Sequence, residues 1–258
     1  MNDISSLFDL KDNVAVVTGA SRGLGRAMAL ALAKAGCHVA LNARSADALK
    51  ETSEAIQKLG RKTLLISGDV SDEAQVKSMV DSVQKAFGRI DILINNAGVW
   101  EGGYLVRMNK EAWDKVLQVN MTGAFLFARA VGKVMLKQKS GKIINMASIS
   151  GFKATPQSLA YAATKAAVIQ MTKVIAVELG PAGIHVNAIA PGFFETDMTK
   201  RYRESDAKEA LEAYIARIPM RRSGQPEDLS GVVVFLASKA SDLITGQTIV
   251  IDGGDSIQ

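Results

Sequence analysis

The chain has 258 residues, of which 48% are hydrophobic, and a formal net charge of +5. This length fits one large α/β domain or two small ones, and the absence of a run of about 18 consecutive apolar residues predicts no membrane span. The basic residues are scattered singly, which argues against nucleic-acid binding, so the charge indicates either a solvated basic surface or affinity for a small anion.

The predicted elements alternate between short apolar strands and longer amphipathic helices. The strands are predicted at Val14–Val17, Val39–Leu41, Leu64–Ile66, Ile92–Ile94, Lys142–Asn145, His185–Ile189 and Thr248–Ile251. The helices are predicted at Gly23–Ala35, Ala46–Leu59, Asp72–Phe87 and Leu159–Leu179, with Ser45 and Ser71 capping the second and third. Because the strands are apolar throughout, they predict a parallel sheet covered on both faces, in one doubly wound α/β domain over residues 1–258.

A glycine-rich turn, Thr18–Gly25, lies between the first strand and the first helix. Gly19 can turn sharply out of the strand, and Gly23 and Gly25 let the backbone approach a pyrophosphate. The N-terminus of a helix adds unpaired N–H groups and a positive dipole end. The segment is therefore either a plain strand-to-helix turn or, as we predict from its place after the first strand, a dinucleotide-binding turn.

The residue that follows the second strand indicates which dinucleotide is bound. NAD sites carry an acid about 20 residues after the turn, to bind the ribose 2′-hydroxyl. Here Arg44 occupies that region, and Arg22 in the turn is a second cation. Because arginine can form a charge-assisted contact with a 2′-phosphate, we predict NADP(H). The alternative is that Arg44 is a solvated loop charge.

Tyr161 and Lys165 are four residues apart in a predicted helix, so they share one face. A tyrosine phenol has an ordinary pKa of about 10, and a neighbouring ammonium lowers the pKa toward the range useful for acid–base catalysis. Alone, the pair is equally typical of a helix surface. Ser148 follows the fifth strand at the edge where open α/β sheets bind ligands, and it is either a turn residue or a hydrogen-bond donor to a substrate oxygen.

Two asparagine positions complete the candidate site. Asn95–Gly98 follow the fourth strand, where small residues and amides suit a crowded turn beside a cofactor or simply a turn. Asn120 lies within a helical run, where asparagine is unfavourable by propensity. We expect it either to bridge to Lys165 through water or to satisfy a buried carbonyl group.

Together these motifs resemble the short-chain dehydrogenase/reductase family over essentially the whole chain. The matching pieces, in order, are Thr18–Gly25, Asp69–Val70, Asn95–Gly98, Asn120, Ser148, Tyr161 with Lys165, and Pro191–Gly192 with Thr196. The resemblance implies a single Rossmann-type domain with a central parallel sheet of about seven strands. It also implies an oxidoreductase that interconverts a carbonyl and an alcohol.

The resemblance also implies a role for each matching residue. Tyr161 would be the acid and base, Ser148 the residue that orients the carbonyl, Lys165 the ribose ligand that tunes Tyr161, and Asn120 the end of a proton relay. The implied NADP(H) site consists of Gly19, Ser21, Arg22, Gly23, Leu24, Gly25, Arg44, Asp69, Val70, Asn96, Ala97, Gly98, Tyr161, Lys165, Pro191, Gly192 and Thr196. The family implies a homotetramer.

The substrate is left open between two classes. Leu105–Met108 and the tail Ile244–Gly254 resemble 3-oxoacyl-acyl-carrier-protein reductases, which makes a 3-oxoacyl thioester our first expectation. Thr199–Ile218 resembles gluconate-type sugar-acid dehydrogenases as well, and we expect a substrate lid around residues 193–220. A non-catalytic NADP-binding sensor is a third alternative.

The sequence also predicts where the protein is located and which partners it has. The polar N-terminal segment has no signal-peptide profile, and the single Cys37 fits a reducing compartment, so we expect a cytoplasmic protein. Neither His38 nor His185 belongs to a cluster of metal-ligating residues, so no catalytic metal is expected. The expected partner is a small-molecule carbonyl or alcohol, with no nucleic acid and no membrane.

Overall fold

The computed structural model describes residues 3–203 and 208–257, which form a seven-stranded, all-parallel sheet in the order β3-β2-β1-β4-β5-β6-β7. The strands are β1 Val14–Val17, β2 His38–Ala43, β3 Thr63–Ser67, β4 Ile92–Asn95, β5 Gly141–Met146, β6 Ile184–Pro191 and β7 Thr248–Ile251. The predicted doubly wound sheet is confirmed. The strand order reverses direction between β1 and β4, and ligands bind at such a switch point beyond the carboxyl ends of the strands.

Helices cover both faces of the sheet. They are α1 Gly23–Lys34, α2 Lys50–Gln57, α3 Glu73–Phe87, α4 Lys110–Leu117, α5 Gly123–Gln138, α6 Leu159–Leu179, α7 Asp197–Arg203, α8 Lys208–Ile215 and α9 Ser230–Ala237. On one face Met28 and Leu32 of α1 pack with Val233 of α9, and on the other Val80 of α3 packs with Phe127 of α5. Full burial of each such side chain contributes about 1.5–3 kcal/mol.

Two predicted helix starts were wrong. The cap of α3 is Asp72, whose Oδ1 accepts the Gln75 N–H at 3.0 Å, whereas the hydroxyl of Ser71 donates to Asp69. The predicted helix Ala46–Leu59 is a 3-10 turn followed by α2, and Ser45 caps neither. At α3 two neighbouring polar residues could cap, and Asp72 is the one that does, whereas among the described residues neither the 3-10 turn nor α2 has a side-chain cap.

The segment Lys110–Gln138 is long and apolar enough, by length and composition, to cross a membrane. Its most apolar window is 44% buried inside the protein, and its second half packs against α3, β4 and β5. A core helix gives the same signal as a membrane span. The expectation of no membrane span therefore stays a prediction.

Candidate active site

A cleft of about 1370 Å³ opens beyond the carboxyl ends of the strands. All the residues predicted for the cofactor and catalytic sites line this cleft, with the exception of Asn120. The sheet therefore gathers into one place motifs that are distributed from residue 19 to residue 196 of the chain. Their individual roles stay predictions.

The glycine-rich turn is held in shape by the end of β4. Gly19 has a φ of +64°, and a Cβ on Gly25 would lie 2.2 Å from the Gly19 carbonyl oxygen, so a side chain at Gly25 would clash with the turn. The Asn96 side chain donates to the carbonyl oxygens of Thr18 and Gly19, at 2.9 and 3.1 Å. The Thr18 hydroxyl accepts the N–H groups of Asn96 and Ala97, both at 2.9 Å. Thr18, which the sequence analysis placed in the turn without giving it a role, is thus a positioning residue that begins the motif.

The N-terminus of α1 faces the cleft. Among the described residues, no side chain caps its N–H groups. Uncapped N–H groups and a positive dipole end suit a phosphate group. Arg22 pairs with Asp197 at 3.3 Å, and both side chains are mostly exposed, so the pair contributes about 0–1 kcal/mol. Arg44 is exposed on the cleft wall. A dinucleotide that carries a 2′-phosphate would fit this wall, which combines the glycine turn, the N-terminus of α1 and Arg44.

Helix α6 brings Tyr161 and Lys165 to the same wall as Ser148. The Lys165 Nζ lies 5.4 Å from the Tyr161 ring centroid and donates to the Met146 carbonyl oxygen at 2.6 Å. Burial raises the pKa of the Tyr161 phenol, and a hydrogen bond with Ser148 lowers that pKa in part. The net shift of the Tyr161 pKa is upward, which is opposite to the lowering expected from Lys165, because a buried phenolate loses its hydration.

Burial also lowers the pKa of Lys165 to about 8. An unfolded lysine keeps a pKa of about 10.4, so above pH 8 the unfolded chain binds a proton that the folded chain does not, and folding is favoured as the pH rises. We expect the unfolding free energy of the cofactor-free protein, relative to Lys165→Met, to increase by about 1.4 kcal/mol from pH 7 to pH 9. Denaturant titrations of both proteins at the two pH values measure this difference. A constant difference would mean that the buried amine has an ordinary pKa.

Asn120 lies in a π-helical turn, Gln118–Thr122, that joins α4 to α5. Its side chain accepts the N–H of Val99 at 2.8 Å and donates to the carbonyl oxygen of Val99 at 2.9 Å. Of the two expected roles, the structure thus contains the contact with a carbonyl group. The extra residue of a π-turn turns the side chain toward the loop after β4, and such turns are frequent at functional sites. The relay role of Asn120 stays a prediction.

A buried amide network supports the end of the cleft that contains Ser148 and Tyr161, and it was missed by the sequence analysis. The Asn95 side chain donates to Oδ1 of Asn145 at 2.9 Å, and the Asn145 amide donates to the hydroxyl of Thr172 at 2.9 Å. These residues belong to β4, β5 and α6, so the network fixes the helix that carries Tyr161 against the strand that leads to Ser148. Polar residues at the ends of apolar strands were the only sequence signal for it.

The remaining wall of the cleft combines aromatic and charged side chains. Trp100 and Phe193 line it together with a cluster of Lys153, Tyr214 and Asp255. Among the described residues, no three His, Cys, Asp or Glu side chains are grouped to hold a metal ion. The expectation of no catalytic metal stays a prediction.

Comparisons with known proteins agree with this geometry. A family model described as enoyl-(acyl carrier protein) reductase matches residues 19–256. The 3-oxoacyl-[acyl-carrier-protein] reductase of Synechocystis sp. is 43% identical, over 95% of this chain and 97% of that protein. A short-chain type dehydrogenase/reductase from Mycobacterium marinum has a TM-score of 0.94 and 39% identity, covering 99% of this chain and 100% of that one.

A gluconate 5-dehydrogenase from Burkholderia cenocepacia, whose structure holds NADP and tartrate, has a TM-score of 0.95 and 34% identity, covering 99% and 100% of the two chains. The fold is thus shared by proteins whose names give different substrates. The chain belongs to the short-chain dehydrogenase/reductase family of oxidoreductases. The resemblance found in the sequence motifs is confirmed.

Proposed function

We propose that the protein is an NADPH-dependent reductase of 3-oxoacyl thioesters. The observation that carries the proposal is that Ser148, Tyr161 and Lys165 meet on the wall of a cleft that also contains a complete dinucleotide turn. Relatives named 3-oxoacyl-[acyl-carrier-protein] reductase, at 43% identity over nearly the whole chain, support the thioester as substrate.

The cofactor of this reaction is NADP(H), which supplies the hydride when it is bound. The uncapped terminus of α1 suits the pyrophosphate, and Arg44 suits the 2′-phosphate. Asp69 would contact the adenine side, Asn96 to Gly98 would line the cofactor, and Thr196 would hold the carboxamide. All of them line the same cleft.

The chain's own residues handle the proton and the carbonyl oxygen. Ser148 donates a hydrogen bond to the carbonyl oxygen, and Tyr161 donates the proton that completes the alcohol. The raised pKa of Tyr161 keeps its phenol protonated, which is the form that reduction requires. Lys165 holds the ribose, and Asn120 with water returns a proton toward Lys165.

A second candidate is a sugar-acid dehydrogenase of the gluconate type. The Burkholderia gluconate 5-dehydrogenase has a TM-score of 0.95 with this chain and favours this alternative. The substrate lid would be the segment 193–220, which contains α7 and α8 and of which residues 204–207 lie outside the described residues. Phe193, Met198, Leu211 and Tyr214 of this segment line the cleft, so it is placed to select the substrate.

Oxidation of NADPH by the purified protein distinguishes the two substrates. Acetoacetyl-coenzyme A and 5-ketogluconate are supplied in parallel, and we expect kcat/KM to be at least about tenfold higher for the thioester, a difference of about 1.4 kcal/mol in transition-state binding. A preference for the keto acid would replace the thioester proposal with the gluconate-type one. Tight NADPH binding without reduction of either would support a sensor.

We further propose a cytoplasmic homotetramer with no nucleic-acid or membrane partner. Apolar side chains are exposed on two helices: Phe125 and Leu136 on α5, and Val174 and Val177 on α6. Exposed apolar residues grouped on adjacent helices are typical of a subunit interface.

A further inference from the structure

A Lys-Asp-Tyr cluster joins three distant segments at the substrate wall of the cleft. The Lys153 Nζ donates to Oδ1 of Asp255 at 2.9 Å, and the Tyr214 hydroxyl donates to the other oxygen of the same carboxylate. Asp255 is only 2% exposed, although it lines the cleft together with its two partners. The cluster links the loop after Ser148, helix α8 and the C-terminal turn.

The donors of this cluster are those that would bind the carboxylate of a ligand. A buried carboxylate needs charged and hydrogen-bonding partners, and Asp255 has an ammonium group and a phenol, one on each oxygen. Burial and the adjacent Asp255 carboxylate raise the pKa of Tyr214, so its phenol stays protonated and keeps donating. The position that a substrate carboxylate would take between Lys153 and Tyr214 is therefore already filled by a side chain of the protein.

Another lysine that lines the cleft is also paired with a carboxylate. Lys115 pairs with Glu101 at 2.6 Å, and both residues line the cleft. Apart from Lys165, whose amine donates to the Met146 carbonyl group, the lysines of the described cleft wall are thus each paired with a carboxylate. A second carboxylate brought in by a substrate would meet Asp255 and Glu101 without a free ammonium to receive it.

We propose that Asp255 is a specificity-determining residue. Its carboxylate fills an anion site formed by Lys153 and Tyr214, and this restricts the enzyme to carbonyl substrates that carry no charge on the group that contacts these residues. This inference rests on the proposed reductase function and deepens it. The cleft wall that contains this cluster accepts a thioester or an ester, whereas it disfavours a keto acid. Replacing the Asp255 carboxylate with an amide leaves Lys153 charged and ready for an external carboxylate.

The test compares one ketone in a neutral and an anionic form. With NADPH present, kcat/KM is measured for ethyl acetoacetate and for acetoacetate in the wild type and in Asp255→Asn. We expect the wild type to favour the ester, and the ester-to-acid ratio to fall at least about tenfold in the variant, the effect of one charge-assisted hydrogen bond. Lys153→Met/Asp255→Asn, which removes the ammonium as well, should restore the preference for the ester.

Asp242→Asn is the matched control, because Asp242 pairs with Lys142 at 2.8 Å at the start of β5, away from the residues that line the cleft. Its ester-to-acid ratio should equal that of the wild type. Binding of NADPH by each variant verifies folding, and Asp255→Ala serves as a second variant if the amide destabilises the protein. An unchanged ratio in a folded Asp255 variant, with the ester reduced normally, would overturn the inference and leave the reductase proposal intact.

A binding measurement separates the inference from the reductase proposal if neither ketone is reduced. Acetate should raise the melting temperature of Asp255→Asn but not that of the wild type or of Lys153→Met/Asp255→Asn, because ligand binding to the folded state stabilises it. Equal responses of the three proteins would refute the proposed anion site. A rise in the melting temperature of Asp255→Asn alone would support the anion site even though the reductase proposal had failed.

Discussion

Tyr161→Phe is expected to lower kcat at least about a thousandfold, since removing a general acid typically costs 10²–10⁴-fold and the Ser148 hydrogen bond is lost with the same hydroxyl. The ring and its contact with Lys165 remain, so the NADPH dissociation constant should change by less than about twofold. Steady-state NADPH oxidation and a fluorescence titration of NADPH measure the two quantities.

Tyr104→Phe is the matched control for this substitution. Tyr104 is 56% exposed and does not line the cleft, so loss of its hydroxyl should leave kcat unchanged. Normal turnover by Tyr161→Phe would exclude the phenol from the proton transfer. A loss of NADPH binding equal to the loss of kcat would instead assign Tyr161 to the cofactor site alone.

Arg44→Asp is expected to shift the NADPH-to-NADH ratio of kcat/KM toward NADH by about 100-fold. The substitution removes a charge-assisted contact with the 2′-phosphate, worth about 1.5–3 kcal/mol, and introduces an acid that repels the phosphate. The acid can also accept a hydrogen bond from the 2′-hydroxyl of NADH. Kinetics with both cofactors at a fixed concentration of ketone measure the ratio.

Arg107→Asp carries the same charge change to an exposed residue that does not line the cleft. Its cofactor preference should equal that of the wild type, which controls for the change in net charge. If Arg44→Asp keeps the original ratio, Arg44 is a solvated loop charge. Arg22, whose guanidinium lies 3.3 Å from Asp197, would then be the next candidate for the 2′-phosphate.

Order and type of the elements could be predicted because the apolar strands and amphipathic helices alternate clearly along the chain. The bounds of α6 and β7 match the predicted Leu159–Leu179 and Thr248–Ile251, since Gly180 and Pro181 stop the helix and a short apolar run defines the strand. The N-cap predicted at Ser71 was wrong because the carboxylate of Asp72 lies within reach of the same N–H groups. The N-cap predicted at Ser45 was wrong because, in the described part of the chain, neither the 3-10 turn nor α2 has a side-chain cap.

Features that depend on distant residues were not predictable from the sequence. The π-turn around Asn120 has no local signature, and its purpose is visible only in the contacts with Val99. The direction of the Tyr161 pKa depends on burial, which the spacing of Tyr161 and Lys165 does not reveal. The Asp255 carboxylate meets Lys153 across 102 positions of the chain, so only the folded molecule shows the pair.

The contacts between Thr18 and Asn96 have a consequence for how the cofactor binds. Four hydrogen bonds between these two segments hold the glycine turn in a single shape before any ligand arrives. Ordering a free loop during binding would reduce affinity, because the conformational entropy would be lost at that moment. In this protein that entropy is lost during folding, so the turn is preorganised, and we expect loop closure not to reduce its affinity for a pyrophosphate.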